Sequence, residues 1–300
     1  MRRNYDILWK GVLEEVFDDL LRFLFPNANE LFDMEKGFEF LDKELAKIHT
    51  EPAIRSDTRF VDKLVKVYQR DGSEEWILVH VEVQGTNDPE FAERMFKYYY
   101  RIFDRYNRPV TAIAILTGRD GKNMTDRYER SYLGTKLAYQ YNTLCILDFT
   151  DKELEENENI FALVLLAAKK TLLKGKDLDK RLLNEKLLIA RMLFERGLFS
   201  KKKLQGIWSF LNLYVQFENP ETNHIFVEQI DLITGKKDTM GVIEQLAEIR
   251  KEEGREEGRT EKEIIVVKNL LSATKFSLEK IASIAGVSVA FVKEIKKEKK

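Results

Sequence analysis

Residue types and spacing within 60–84 point to metal-ion chemistry. In Trp76-Ile77-Leu78-Val79-His80-Val81-Glu82-Val83-Gln84 the odd positions are Ile, Val, Val and Val. A strand's two-residue period places those four on one buried face. The opposite face carries Trp76, Leu78, His80, Glu82 and Gln84, so a carboxylate and an amide are presented together at the strand end. In Phe60-Val61-Asp62-Lys63-Leu64-Val65-Lys66-Val67-Tyr68 the same period puts Asp62 with Leu64, Lys66 and Tyr68. Pairing the two runs as a hairpin brings Asp62 towards Glu82. Two carboxylates on adjacent strands suit a hard divalent cation, since Mg2+ takes oxygen ligands at about 2.0–2.1 Å and keeps several waters. Such a cation polarises a phosphodiester oxygen and acidifies a bound water. The chemistry indicated is metal-assisted phosphodiester hydrolysis, with Mg2+, or Mn2+ in its place. The same spacing also allows a plainer arrangement, in which Asp62 pairs with Lys66 or Lys63 at a sheet edge and Glu82 and Gln84 end a solvated strand.

The elements that must position these residues are also readable. Leu8, Val12, Val16, Leu20 and Phe23 recur at spacings of three and four, which predicts one amphipathic helix over Ile7–Phe25, ended by Pro26-Asn27. The two strands are joined by a segment containing Asp71-Gly72, a turn signal. Asp88-Pro89 offers an N-cap followed by proline at the first helical position, and a helix follows to about Tyr106, closed by Asn107-Arg108-Pro109. Thr111–Thr117 is a buried strand, and Tyr132–Phe149 supplies two more around Asn142. Beyond Asp151 the segments 159–173, 184–196, 201–217 and 239–251 show helical periodicity only. The expected organisation is a mixed α/β domain over 1–150, a helical region over 151–249, a charged linker or helix over 250–263 and a small helical unit over 264–300.

Composition narrows the function classes. The chain has 300 residues, 44% hydrophobic and 34% charged, with 15 Gly and 5 Pro, which excludes collagen-like, low-complexity and wholly disordered classes. Its formal net charge of -1 means that any nucleic-acid site is a local patch. A single cysteine, Cys145, rules out an intramolecular disulfide and a Cys-based zinc cluster, and His49, His80 and His224 lack metal-ligand spacing. The charged N-terminus lacks a signal peptide's apolar stretch, and the longest apolar run, Phe161–Ala168, is far short of the ~20 residues of a membrane span. The expectation is a cytoplasmic protein with no membrane partner.

The run Asp62…Trp76-Ile77-Leu78-Val79-His80-Val81-Glu82-Val83-Gln84, preceded by LWKGVLEEVFDDLLRFLFP and followed by RMFKYYYRIFDRYNRPVTAIAIL, resembles the Rpn family of recombination-promoting nucleases, also described as putative transposases. That family belongs to the PD-(D/E)XK nuclease superfamily. The resemblance is strongest over residues 5–150 and looser beyond. It implies a restriction-endonuclease-like mixed sheet flanked by helices and followed by an all-helical C-terminal region. It implies a magnesium-dependent DNA endonuclease linked to recombination or horizontal gene transfer, with Asp62 and Glu82 binding metal and the Val83 carbonyl as a further ligand. A first-helix carboxylate often joins such sites. Glu14 and Glu15 are the candidates, and spacing does not choose between them. Many relatives in the superfamily have lysine where this chain has Gln84, which carries no charge and would orient water by hydrogen bonding. Lys66 is then the candidate for the missing cation.

On the helix after the motif, Arg94, Tyr98, Arg101 and Arg105 follow spacings of four, three and four, with Lys97 beside them. This predicts a basic face, with an aromatic interleaved, for DNA phosphates. Glu90, Glu93 and Asp104 on the same helix offer those cations a local alternative. Residues Ser277–Val292 read as helix, Gly286-centred turn, helix, resembling a helix-turn-helix, with Lys293, Lys296 and Lys297 near the end of the second helix. Val289 and Ala290 offer few groups for reading bases, and a packing or oligomerisation role fits the same residues. The runner-up function is a non-catalytic DNA-binding or regulatory protein on a nuclease scaffold. The helical region 151–249 carries no chemistry of its own and suits a homo-oligomer interface.

Overall fold

A computed structural model describes residues 5–41, 60–82, 89–108, 110–196, 200–234, 266–272, 276–287 and 289–298. The chain divides into two compact units, 1–234 and 235–300. The helical segments after residue 150, as far as 234, therefore share a unit with the sheet.

The N-terminal helix is two helices, α1 (Tyr5–Glu15) and α2 (Phe17–Leu24). The chain leaves helical geometry at Val16, φ -124 and ψ 27, a β-branched residue that is fully buried. The break lets both apolar stripes, Trp9-Val12-Leu13 and Phe17-Leu20-Leu21, be buried. It also opens a new N-terminus at which Asp18 and Asp19 suit the helix dipole. A short α3 (Ala28–Leu31) and an edge strand β1 (Glu39–Phe40) follow.

The central hairpin comprises β2 (Phe60–Tyr68) and β3 (Glu74–Glu82). Its turn has Gly72 at φ 89, a conformation that favours glycine, and Asp71 accepts from the Ser73 amide at 2.8 Å. Helix α4 (Phe91–Tyr106) crosses over to β4 (Val110–Leu116). Asp88 lies outside the described residues, and Pro89-Glu90 form a turn ahead of the helix rather than its first residues. Asn107 closes α4 in the left-handed region, φ 46. The sheet order is β1-β2-β3-β4 and then β7 (Asn142–Cys145), antiparallel up to β3 and parallel from β3 to β7. The fold is thus α/β, a mixed five-stranded sheet flanked by helices, followed by C-terminal helices.

Burial extends to both faces of this sheet. Ile77 and Val79 are inaccessible, and so is Leu78 opposite them, with Trp76 nearly so. Leu64, Trp76 and Leu78 pack against Tyr98 and Ile102 of α4, while Ala112, Ala114 and Leu116 pack against its Phe91, Ala92 and Met95. Two covered faces are what parallel βαβ connectivity requires.

Tyr132–Phe149 holds two strands on either side of Tyr141, as expected, and a further strand precedes them. A separate hairpin of β5 (Arg127–Tyr132) and β6 (Thr135–Gln140) turns at Leu133 (φ 44) and Gly134 (φ 87), and β7 (Asn142–Cys145) then joins the main sheet. Positive φ at both turn residues matches the twist of a tight hairpin. Phe96 and Tyr99 of α4 hold this hairpin through ring contacts with Tyr128 and Tyr139.

Five helices complete the first unit: α5 (Asp151–Glu156), α6 (Phe161–Lys170), α7 (Leu178–Glu195), α8 (Lys201–Tyr214) and α9 (Pro220–Thr234). A Thr150–Glu153 capping box starts α5. Helix α8 packs on α1 through Trp9–Phe210 and Tyr5–Tyr214, with ring centroids 5.0 and 4.7 Å apart. The buried Lys186 of α7 donates to the carbonyls of Asn212 and Val215 at the end of α8. Segments 239–251 and 250–263 lie outside the described residues. In the second unit α10 (266–272), α11 (Leu278–Ala285) and α12 (Val289–Glu298) surround one small core.

The start of α5 carries a pH-dependent ion cluster. Lys169 and Lys170 both reach Asp151, at 2.6 and 2.7 Å, and Lys170 also reaches Glu185 at 2.5 Å. Burial raises the Asp151 pKa, but the hydrogen bonds from Lys169 and Lys170 outweigh it and hold the carboxyl below its ordinary range. Burial lowers the Lys170 pKa, and its bonds to Asp151 and Glu185 reverse that into a net rise. A depressed carboxyl stabilises the fold above its unfolded value of about 3.9 and loses that contribution as pH falls through the folded value. The raised lysine keeps its contribution below its unfolded value and loses it only in strong alkali. The urea midpoint is therefore expected to fall between about pH 4 and pH 2, and to fall less in Asp151→Asn than in the wild type. Equal acid sensitivity in both proteins would assign the loss to other carboxylates.

Candidate functional site

The register of the central hairpin sets the site. Asp62 lies opposite His80, Phe60 opposite Glu82, and on the other side of β3 Glu82 lies beside Leu116 of β4. Cross-strand partners share a face, as do residues two apart on one strand, so Asp62, His80 and Glu82 occupy one face of two adjacent strands. Asp62 and Glu82 are diagonal neighbours, a relation that spans about 7–8 Å in antiparallel pairs. On the same face β4 places Ala114 beside His80. Leu64, Trp76 and Leu78, further from the ends of the described strands at Phe60 and Glu82, belong to the core under α4. The polar positions therefore follow the Leu64–Leu78 layer along β2 and β3, beside the buried Ala114 and Leu116 of β4. Val83 and Gln84 lie outside the described residues.

Lys66 is not brought to this place. It sits four residues along β2 from Asp62, about 13 Å at strand rise. There it forms ion pairs with Glu39 at 2.8 Å and Glu74 at 3.7 Å. Hydrogen bonding to Glu39, then to Tyr68, pushes its pKa up, so it is held as a cation by the β1 edge. The first-helix carboxylates are engaged elsewhere as well. Glu14 pairs with Lys63, a buried residue one position from Asp62 and so on the opposite face of β2. Glu15 reaches Lys202 at 3.2 Å and presses against α8 at Gly206, where a Cβ would stand 2.7 Å from the Glu15 Cγ. Glycine at 206 is what permits that approach.

The basic stripe on α4 is largely an inward stripe. Arg94 is only 9% exposed and Tyr98 is inaccessible, packed with Leu64, Trp76, Leu78 and Ile102. The four-three-four spacing that brings cations together on a helix also describes its core-facing side, and α4 buries that side against the sheet. Arg94 stacks on Phe91, 5.4 Å from its ring centroid. Lys97 pairs with Glu93 at 2.8 Å, and that hydrogen bond lowers the Glu93 pKa. Arg105 lies over the Tyr106 ring and is exposed, while Arg101 is half-buried. Of the five expected DNA contacts, Tyr98 is a core residue and Arg94 nearly one.

His80 is the residue to which the sequence attached no role. Alternation alone placed it on the Glu82 face, and only the register shows it directly across from Asp62. Among the described residues no three or more His, Cys, Asp or Glu side chains gather as a metal site. The donor set at the strand end, two carboxylates with an imidazole position between them, fits a hard divalent cation, and the imidazole position also suits Mn2+. No family model, curated protein or solved structure matches this chain. Among the described residues no helix is long and apolar enough to cross a membrane.

Proposed function

We propose that the chain is a Mg2+-dependent endodeoxyribonuclease of the PD-(D/E)XK type, akin to the Rpn recombination-promoting nucleases. The observation that carries this reading is the hairpin register, which puts Asp62 and Glu82 on one face of adjacent strands at the end of the central hairpin. The element order supports it: helix, strand with Asp, strand with Glu, helix, parallel strand. Asp62 and Glu82 would hold the cation, and the Val83 carbonyl joins them in the resemblance. A cation held there would supply positive charge for the phosphate oxygens and lower the pKa of a water bound to it. By residue type Gln84 would orient the attacking water by hydrogen bonding, and as a neutral group it would take up no proton. His80 lies across from Asp62 on the same face of the two strands.

The test is plasmid cleavage by the purified chain with Mg2+, Mn2+, Ca2+ or EDTA. Nicking or linearisation is expected with Mg2+ or Mn2+ and not with Ca2+ or EDTA. An intact plasmid in every condition, retained in a salt-sensitive complex, would overturn the enzyme reading in favour of a DNA-binding protein on a nuclease scaffold.

A further inference from the structure

The described residues of the second unit form three short helices around one apolar core, with a tight glycine-centred turn between the last two. Ser277 caps α11 by accepting from the Lys280 amide at 3.3 Å. Helix α11 ends at Gly286 in the left-handed region, φ 68, where the Gly286 and Val287 amides both donate to the Ala282 carbonyl, the latter at 3.0 Å. The chain then re-enters a helix within three residues, at Val289. Val267, Ile281, Ala282, Val292 and Ile295 form the buried core, so all three helices contribute to one apolar centre. Small Ala282, four residues before the turn glycine, and Val292, six after it, are the contacts that let two helices cross closely around a tight turn.

Positive charge is concentrated in the C-terminal part of this unit, residues 235–263 holding seven Lys and Arg against nine Asp and Glu. Residues 264–300 hold eight lysines against three glutamates, in a chain whose formal net charge is -1. With Val292 and Ile295 facing the core, the helical period places Ala290, Lys293, Glu294 and Lys297 on the opposite side of α12. Lys296 on α12, Lys280 on α11 and Lys268 on α10 are exposed. Each helix therefore contributes cations around one small body.

We propose that this unit docks duplex DNA, with α12 as the helix laid along the major groove and the lysines on phosphates. The proposal is independent of the strand-end carboxylates. The residues on this face of α12 are Ala290, two lysines and Glu294 rather than Asn, Gln or Arg, so binding is dominated by phosphate contacts and discriminates sequence weakly. Its signature is a steep fall of affinity with salt.

The experiment uses the full chain in EDTA, so that no cleavage intervenes, and fluorescence anisotropy of a labelled duplex across a salt series. Lys293→Gln/Lys297→Gln is expected to weaken binding by at least about fivefold at 0.1 M salt and to lower the log–log salt slope by about two. Lys136→Gln, outside the unit, should bind as the wild type does, and circular dichroism checks that the double variant stays folded. An unchanged affinity and slope in the folded double variant would overturn the proposal. So would equal loss in Lys136→Gln, which would make the attraction a property of the whole surface. Loss of self-association in the double variant with no change in DNA affinity would also overturn it, assigning α12 to contact with a second copy. Failure of plasmid cleavage leaves the proposal standing, and failure of duplex binding leaves the nuclease reading standing.

Discussion

Replacing Asp62 or Glu82 by alanine is expected to lower Mg2+-dependent plasmid cleavage by about a thousandfold or more, a barrier increase of about 4 kcal/mol. Each variant removes one of the two carboxylates that the register places on a single face. Since the pair acts as a unit, the double variant should be little worse than either single one. A urea titration of each variant separates loss of the site from loss of the fold, the first leaving the midpoint in place. A second readout separates a metal site from an ordinary strand end. Without metal, two carboxylates on neighbouring positions repel, so Asp62→Asn should raise apo stability by a few tenths of a kcal/mol. With Mg2+ the wild type should gain thermal stability and the variant should not, since only a protein that binds the ion in its native state is stabilised by it. Wild-type cleavage by either alanine variant, with its thermal response to Mg2+ intact, would move the site away from this hairpin.

What the sequence made legible and what it did not divide along physical lines. The hairpin, α4 and β4 were readable because their signals are local: alternation over nine residues, Asp71-Gly72 at the turn, Asn107 at the helix end. Adjacency of Asp62 and Glu82 was readable as a conditional statement that needed only the pairing register to become definite. The commitments of Lys66, Glu14 and Glu15 were not readable, since their partners Glu39, Lys63 and Lys202 are brought to them by tertiary packing. The break at Val16 was hidden because the apolar spacing of three and four runs through it unchanged. Other signals were present and went unread. Thr150 followed by Glu153 is a capping box that announces α5, and Leu133-Gly134 is a turn dipeptide that splits β5 from β6.

The stripe Arg94, Tyr98, Arg101, Arg105 tests the same lesson with a large expected effect on stability. A helical face is defined by spacing, and spacing alone does not say whether the face looks at solvent or at the sheet. Tyr98 is inaccessible and packed among Leu64, Trp76, Leu78 and Ile102. Truncating a buried aromatic side chain costs about 3–5 kcal/mol through lost burial and the cavity left behind. Against a total stability of about 5–15 kcal/mol, Tyr98→Ala should shift the urea midpoint of the first unit strongly downward and reduce the yield of folded protein. Lys97, one residue away, is 44% exposed and paired with Glu93 one turn back. Lys97→Ala should cost no more than about 0.5 kcal/mol, the scale of a solvent-exposed pair of this spacing. If Tyr98 instead contacted DNA, the result would reverse: Tyr98→Ala would keep its urea midpoint and lose duplex affinity. One residue's difference along α4 thus separates a stability determinant from a surface cation, because the helix lays Tyr98 on the sheet and leaves Lys97 at its flank.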